Sequence, residues 1–198
     1  MTYNGKYSCL ILDADIYYKL VQFEDINAFI KIIDNITDKA YIHEYVYKEE
    51  ILTKREQLEQ SIAMKKLEIL YPKNILDKIG YSVYKDSFKI LCEEYIGLEN
   101  LCKRHGHLGE VYSLAIAKAL SITIFMSDEG GLKPIIKRLL NTGINDINMF
   151  RLKNIIHWIR HNPECNITRR EAKKIFCYTC SKGNIKNRKR CFDDIWKI

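Results

Sequence analysis

Short apolar runs that end at acidic residues alternate along this chain with longer stretches of helical periodicity. Residues 8–12 form an apolar run that is too short for a helix and ends at Asp13, as a buried strand of a parallel sheet does. Residues 122–127 form a second run, rich in β-branched residues, which ends at Asp128. Two further short strands are predicted, over residues 40–42 and around residues 144–149.

Apolar residues in the other segments recur at spacings of three and four, which indicates amphipathic helices. The first segment predicts one helix or two, as a crossover between parallel strands. Gly80 and Gly97 predict breaks in the third segment, and Gly130, Gly131 and Pro134 predict a loop before the last one. The predicted helical segments are residues 16–36, 45–70, 74–103, 111–120 and 135–140.

Strands that alternate with helices predict an α/β fold with a parallel sheet. A chain of 198 residues, 47% of them hydrophobic, is long enough for one substantial core. We therefore predict one domain over residues 1–150, in which residues 53–107 form a helical insertion or flank. Residues 151–198 are predicted to form a basic helical C-terminal extension, in which Thr168 and Glu171 have capping-box spacing at a helix start.

The net charge of +7 is distributed unevenly. Residues 151–198 hold 13 Lys and Arg against 4 Asp and Glu, whereas the preceding residues hold 19 against 21. An acidic body with a basic tail suits a polyanionic partner, because the tail can bind phosphates through counterion release. A solvated basic helix is the ordinary alternative. The predicted nucleic-acid-binding residues are Arg169, Arg170, Lys173, Lys174, Lys182, Lys186, Arg188, Lys189 and Arg190, with Tyr178 or Phe192 available for stacking.

No apolar run approaches the roughly 18 residues needed to cross a bilayer, and no charged N-terminal segment precedes an apolar one. We therefore expect a cytoplasmic protein with no membrane association. The seven cysteines form an odd number, which in a cytoplasmic protein favours reduced thiols over a disulfide framework.

Four acidic residues are placed where they can converge. Asp13 and Asp128 follow strands whose carboxyl ends line the ligand crevice of an open parallel sheet. Glu49 lies one turn into the helix after the second strand, and Glu110 begins the helix before the strand that ends at Asp128. Clustered carboxylates repel one another, so the pocket calls for a divalent cation, and oxygen-only ligands favour Mg²⁺ or Mn²⁺. Phosphodiester hydrolysis is the chemistry that such ions serve.

Each of these acids also has an ordinary explanation. Asp13 and Asp128 could cap neighbouring elements, Glu110 could favour a helix dipole, and Glu49 could be solvated. Glu44 and Glu50 compete with Glu49 for the second position in the pocket, because a shift of one residue turns a helical side chain by about 100°.

The acids lie in four ordered segments, which are residues 10–15 (LILDAD), 41–52 (YIHEYVYKEEIL), 109–117 (GEVYSLAIA) and 125–129 (FMSDE). These segments resemble the PIN-domain family over about residues 7–160. The resemblance implies a PIN-like (Rossmann-like three-layer) α/β fold and a metal-dependent endoribonuclease that uses Mg²⁺ or Mn²⁺. It also implies that Asp13, Glu49, Glu110 and Asp128 are the catalytic, metal-binding acids, and that Asp15, Ser127 and Glu129 are accessory neighbours.

Members of that family include toxins that cut RNA until an antitoxin protein blocks the acidic pocket. The resemblance therefore implies RNA as substrate, an inhibitory antitoxin-like partner and a homodimer. The chain departs from the family at Glu129, where many members place a second Asp, and residues 53–107 are longer than the matching segment of small members.

The residues leave other functions open. A noncatalytic RNA-binding or assembly module would keep the sheet without metal affinity, and a structure-selective DNA nuclease would use similar carboxylates. A zinc site built from His157, His161, Cys177 and Cys180 competes with ordinary packing of those residues on helices.

Overall fold

The computed structural model describes residues 6–21, 26–97, 107–178 and 185–197. Five strands form one sheet: β1 (Tyr7–Leu12), β2 (Thr37–His43), β3 (Leu67–Leu70), β4 (Ile124–Met126) and β5 (Asn148–Phe150). The helices are α1 (Ala14–Val21), α2 (Ile26–Ile36), α3 (Arg55–Ala63), α4 (Pro72–Ile75), α5 (Lys78–Leu91), α6 (Leu108–Ala119), α7 (Leu132–Leu139), α8 (Leu152–His161), α9 (Arg169–Tyr178) and α10 (Ile185–Lys197). Two π-helical segments, Val46–Glu50 and Cys92–Ile96, and a 3₁₀ turn, Pro163–Cys165, complete the described elements.

The sheet is parallel throughout and has the strand order β3-β2-β1-β4-β5. The central strand β1 pairs with β2 on one side and with β4 on the other, where Leu12 lies opposite Met126. The strand order therefore reverses between β1 and β4, which creates a crevice at the carboxyl ends of these two strands. The predicted α/β fold with a parallel sheet is confirmed, whereas its likeness to PIN domains stays a prediction.

Helices cover both faces of the sheet. Successive side chains of β1 point to opposite faces, and the apolar ones on each face pack against a different set of helices. Leu10 and Leu12 pack on one face with α1, α2, α8, α9 and α10. Ile11 and Phe125 pack on the other face with α5, α6 and α7. The result is three layers, with the crevice at one edge of the middle layer.

The C-terminal segment, residues 151–198, contributes three helices to the first of these cores. Trp158 of α8, Phe176 of α9 and Phe192 of α10 are buried in the same cluster as the strand residues. The predicted capping box at the start of α9 is confirmed, because the Thr168 N–H donates to Glu171 Oε2 at 2.7 Å and the Glu171 N–H donates to Thr168 Oγ1 at 3.3 Å.

The prediction of a mostly helical segment over residues 45–70 was wrong at its end, where β3 forms the edge of the sheet. The turn before β3 places Lys65 at φ 57°, a left-handed conformation without a glycine, so no sequence signal marked it. The break expected near Gly80 lies three to four residues earlier, at Leu76 and Asp77, between α4 and α5. Gly80 lies in the first turn of α5, where its N–H donates to the capping Asp77 Oδ1 at 2.7 Å.

Other predicted boundaries are shifted by a few residues: the last strand, expected around residues 144–149, is Asn148–Phe150. Residues 98–103 of the predicted helical segment 74–103 lie outside the described residues. Residues 16–36 contain two helices, α1 and α2, and Gly97 ends a π-helical segment at φ 83°. The predicted helix over residues 135–140 begins earlier, at Leu132, because Pro134 fits the first turn of a helix.

Candidate functional site

The crevice between β1 and β4 is lined first by Asp13, which is 1% exposed. Its backbone N–H donates to the Met126 carbonyl at 3.0 Å, so the residue is fixed to the end of β4. The Asp13 carboxylate accepts a hydrogen bond from the Ala14 N–H at 2.8 Å and another from Ser127 Oγ at 3.0 Å. These contacts hold one buried carboxylate in a fixed orientation at the switch point of the sheet.

The second acid of the site is Glu50, at the end of the π-helical segment that follows β2. The Gly109 N–H, in the first turn of α6, donates to Glu50 Oε1 at 3.0 Å. A β-carbon at residue 109 would overlap the Glu50 carboxylate, so only glycine permits this approach. Gly109 thus provides both the donor and the space that hold Glu50 in place.

The third acid, Glu110, is next to Gly109 and is 7% exposed. Its Oε1 lies 3.5 Å from His107 Nδ1, which in turn lies 3.1 Å from the Tyr95 hydroxyl. Its Oε2 is buried and has no hydrogen-bond partner among the described residues. A buried carboxylate oxygen without a partner is energetically unfavourable, so this atom is available for a ligand.

These three carboxyl groups oppose one another's ionisation. Burial, followed by the charges of Glu110, Asp15 and Glu50, raises the pKa of Asp13 well above its ordinary value. Burial and the charge of Glu110 raise the pKa of Glu50 to about 7, against the Gly109 hydrogen bond, which lowers it. Burial also raises the pKa of Glu110. Positive charge in the crevice would therefore favour the ionisation of all three groups.

Asp128 lies beside this cluster but has its own cationic partners. Its Oδ2 accepts from Lys19 Nζ at 3.0 Å, and its Oδ1 accepts from Arg151 Nε at 3.3 Å. Arg151 also donates to the Asp128 carbonyl at 2.7 Å, and Lys19 also pairs with Asp15 at 3.1 Å. Asp128 is thus neutralised within the chain.

The structure corrects the register of the second acid, because Glu50 rather than Glu49 lies beside Asp13 and Glu110. The segment Val46–Glu50 is closed by an i to i+5 hydrogen bond from the Ile51 N–H to the Val46 carbonyl at 2.9 Å, which makes it π-helical. Glu49 is exposed, and Glu44 pairs with Lys48 at 2.7 Å.

The three predicted accessory residues lie at the same edge of the sheet. Asp15 accepts from the Asp128 N–H at 3.2 Å, and Ser127 bonds Asp13 as described above. The Glu129 N–H donates to Ser127 Oγ at 3.2 Å, while Glu129 Oε1 accepts from the Gly131 N–H at 3.2 Å. Ser127 therefore connects Asp13 to the loop after β4.

Sequence reasoning did not identify Gly109, His107, Tyr95, Lys19 or Arg151. Lys19 lies four residues after Asp15 on a helix, which is a sequence signal for an ion pair. Arg151 directly follows β5, as Asp13 follows β1, so its position at a strand end also was a signal. The contact of Tyr95 with His107 joins two separate helical segments and had no such signal.

The donor set matches a hard divalent cation in charge and chemistry, since Asp13, Glu50 and Glu110 offer only carboxylate oxygens. The unpartnered Glu110 Oε2 is the observation that favours a ligand at this point. In the part of the chain that the structure describes, no three His, Cys, Asp or Glu side chains already have the spacing of a metal site. Side-chain movement would therefore accompany binding of an ion.

The zinc alternative rests partly on Cys180, which lies outside the described residues. His161 Nδ1 lies 2.8 Å from the His157 carbonyl on α8, and the two rings stack 4.2 Å apart. Cys177 is buried on α9. None of the described cysteines is in a disulfide.

The basic residues of α9 and α10 fall into two groups. Asp193 pairs with Arg169 at 2.9 Å and with Lys173 at 2.8 Å, and Arg188 lies over the Phe176 ring at 5.0 Å. The side chains of Arg169, Lys173 and Arg188 therefore connect α9 to α10. Lys182 lies outside the described residues. Arg169 is itself exposed, and the other exposed basic side chains of the predicted set are Arg170, Lys174, Lys186, Lys189 and Arg190.

Comparison with known proteins gives no relative: no family model, no curated protein and no solved structure matches this chain. Among the described helices, none combines the length and apolar character that a membrane span requires.

Proposed function

We propose that Asp13, Glu50 and Glu110 bind a divalent cation, Mg²⁺ or Mn²⁺, and that the protein uses this site to hydrolyse RNA phosphodiester bonds. The observation that carries the proposal is the buried Glu110 Oε2, which has no partner among the described residues and lies in a cluster of mutually repelling carboxyl groups. A cation bound there would lower the pKa of a water molecule and offset the charge on the phosphodiester.

The chain's own residues would prepare the site for this chemistry. Ser127 and Ala14 orient the Asp13 carboxylate, and the Gly109 N–H orients that of Glu50. These bonds would limit the directions in which the two carboxylates can move when an ion binds. The exposed lysines of α9 and α10, such as Lys174 and Lys189, would retain RNA through its phosphates.

The competing proposal is a noncatalytic RNA-binding module. It is favoured by one observation, that Asp128 is neutralised by Lys19 and Arg151 and so is not available as an anionic ligand. The two functions differ in divalent-cation binding, which only the nuclease needs. The inhibitory partner and the homodimer stay predictions of the family resemblance.

The direct test is cleavage of end-labelled single-stranded RNA and of DNA with the same sequence, with Mn²⁺, Mg²⁺ or EDTA. We expect RNA cleavage that EDTA abolishes, and a loss of at least about 100-fold in the Asp13→Asn and Glu110→Gln variants, since each removes a charged ligand. Glu59→Gln, an exposed change on α3, is the matched control. Cleavage of DNA alone would identify a DNA nuclease, and cleavage in EDTA would refute the proposal.

A further inference from the structure

The acids around the crevice separate into two groups that differ in their cationic partners. Asp15 and Asp128 form a network with Lys19 and Arg151, in which two acidic and two basic side chains balance. Among the described residues, no Lys or Arg pairs with Asp13, Glu50 or Glu110. Asp13, Glu50 and Glu110 therefore form the group whose negative charge is not offset by a Lys or Arg side chain of the described residues.

In the network of Asp15, Asp128, Lys19 and Arg151, the hydrogen-bonding groups of Asp128 already have partners. Both carboxylate oxygens of Asp128 accept from a cationic side chain, and the Asp128 side chain is only 9% exposed. Its backbone is held as well, since the carbonyl accepts from Arg151 at 2.7 Å and the N–H donates to Asp15 at 3.2 Å. A metal ion at Asp128 would have to compete with Lys19 for Oδ2 or with Arg151 for Oδ1, and both cations would remain close to it.

The group formed by Asp13, Glu50 and Glu110 lacks such cationic partners among the described residues. Glu110 is more than nine-tenths buried, and its Oε2 has no hydrogen-bond partner among the described residues. The Gly109 N–H that fixes Glu50 is a single neutral donor, which does not compensate a carboxylate charge. An ion that reaches the crevice is thus favoured at this group alone.

We propose that the crevice binds one divalent cation, at Asp13, Glu50 and Glu110, and that Lys19 and Arg151 supply at Asp128 the positive charge that a second ion would supply. This inference rests on the proposed function, because it concerns the same site. It assigns to Lys19 and Arg151 the role of positioning residues, which hold Asp128 and place two cationic groups at the edge of the pocket where a phosphodiester would lie.

The test is the stoichiometry of Mn²⁺ binding, measured by calorimetry on the full chain and checked by the electron paramagnetic resonance signal of free Mn²⁺. We expect one ion per chain for the wild type. Asp128→Asn should keep that stoichiometry and change the Kd by no more than about threefold, since its charge acts only at a distance. Glu110→Gln should weaken binding by at least about tenfold, because it removes a ligand charge. Glu59→Gln is the control with an exposed change.

A double variant, Lys19→Met with Arg151→Met, removes both cations and should admit a second Mn²⁺ ion. Circular dichroism decides whether this variant folds, and if it does not, Asp128→Asn decides the question alone. Two ions in the wild type, or equal losses in Asp128→Asn and Glu110→Gln, would overturn the single-ion inference. One ion in the folded double variant would overturn the role assigned to Lys19 and Arg151. No Mn²⁺ binding by the wild type would instead overturn the proposed function itself.

Discussion

The backbone N–H of Gly109 donates to Glu50 Oε1 at 3.0 Å, which joins the start of α6 to the π-helical segment after β2. The contact is close enough that a β-carbon at residue 109 would occupy the position of the Glu50 carboxylate. One glycine therefore decides whether two acids of the crevice, Glu50 and Glu110, lie together.

Gly109→Ala should separate metal binding from folding. Alanine suits the first turn of a helix, so we expect the variant to fold, while the new methyl group displaces Glu50. Mn²⁺ binding should weaken by at least about tenfold, as it does when a residue that orients a ligand is lost. Calorimetry gives the Kd, and the thermal midpoint monitors folding. Unchanged affinity in a folded variant would show that Glu50 is not a ligand.

Cation binding should strengthen as the pH rises through about 7, the pKa that burial and the charge of Glu110 give Glu50. The sign follows because a protonated carboxyl group must lose its proton before it binds a cation. Near neutral pH the ion should release protons, so the calorimetric enthalpy should vary with the ionisation enthalpy of the buffer. An affinity that stays constant between about pH 6 and pH 8 would contradict this account.

The same carboxyl groups should reduce stability when no cation is present. Glu50 has an ordinary pKa of 4.5 and a folded pKa of about 7, so the folded chain binds more protons than the unfolded chain between these values. The contribution of Glu50 to the free energy of unfolding is therefore greatest below the lower pKa and is lost as the pH rises through the higher one.

Glu50→Gln removes this charge and keeps an oxygen that accepts from Gly109. At pH 8 in EDTA its thermal midpoint should exceed that of the wild type by about 2–4 °C, which corresponds to about 1 kcal/mol for a chain of this size. The difference should shrink as the pH falls toward the ordinary pKa of the side chain. Glu49→Gln, an exposed neighbour, should show no such pH-dependent gain, and a similar gain there would refute the assignment.

RNA affinity should depend on the exposed lysines of α9 and α10. Lys174→Ala with Lys189→Ala should weaken RNA binding and reduce the slope of log K against log salt by about 1.4, since each phosphate contact to a single strand contributes about 0.7. Lys133→Ala with Lys137→Ala removes the same charge from exposed positions on α7 and is the matched control. Fluorescence anisotropy at several salt concentrations measures both. Equal effects of the two pairs would indicate that only net charge matters.

The strands that carry the crevice could be predicted from the sequence, because each is a short apolar run that ends at an acid. Asp13 was placed at the crevice from that pattern, and Glu110 from its position at the start of the helix before the strand that ends at Asp128. Both side chains are buried in the structure. The edge strand β3 could not be predicted in this way, since it is only four residues long and the turn before it uses Lys65 in place of a glycine.

The details of the site depended on contacts that a one-dimensional pattern does not contain. Glu50 ends the π-helical turn Val46–Glu50 and faces the Gly109 N–H, whereas Glu49 is exposed, and no composition signal marks such a turn. The pairing of Asp128 with Lys19 and Arg151 joins residues that are 109 and 23 positions apart. Its effect on the charge of the crevice therefore emerged only from the fold.

The most direct test of the central claim is the rate of Mn²⁺-dependent RNA cleavage by Glu50→Gln and by Glu49→Gln, measured beside the wild type. The two variants make the same chemical change at adjacent positions, one in the crevice and one exposed. We predict a wild-type rate for Glu49→Gln and a loss of at least about 100-fold for Glu50→Gln, as expected when one charged ligand is removed. An unchanged rate in a folded Glu50→Gln variant, or cleavage that needs no divalent cation, would contradict the proposal.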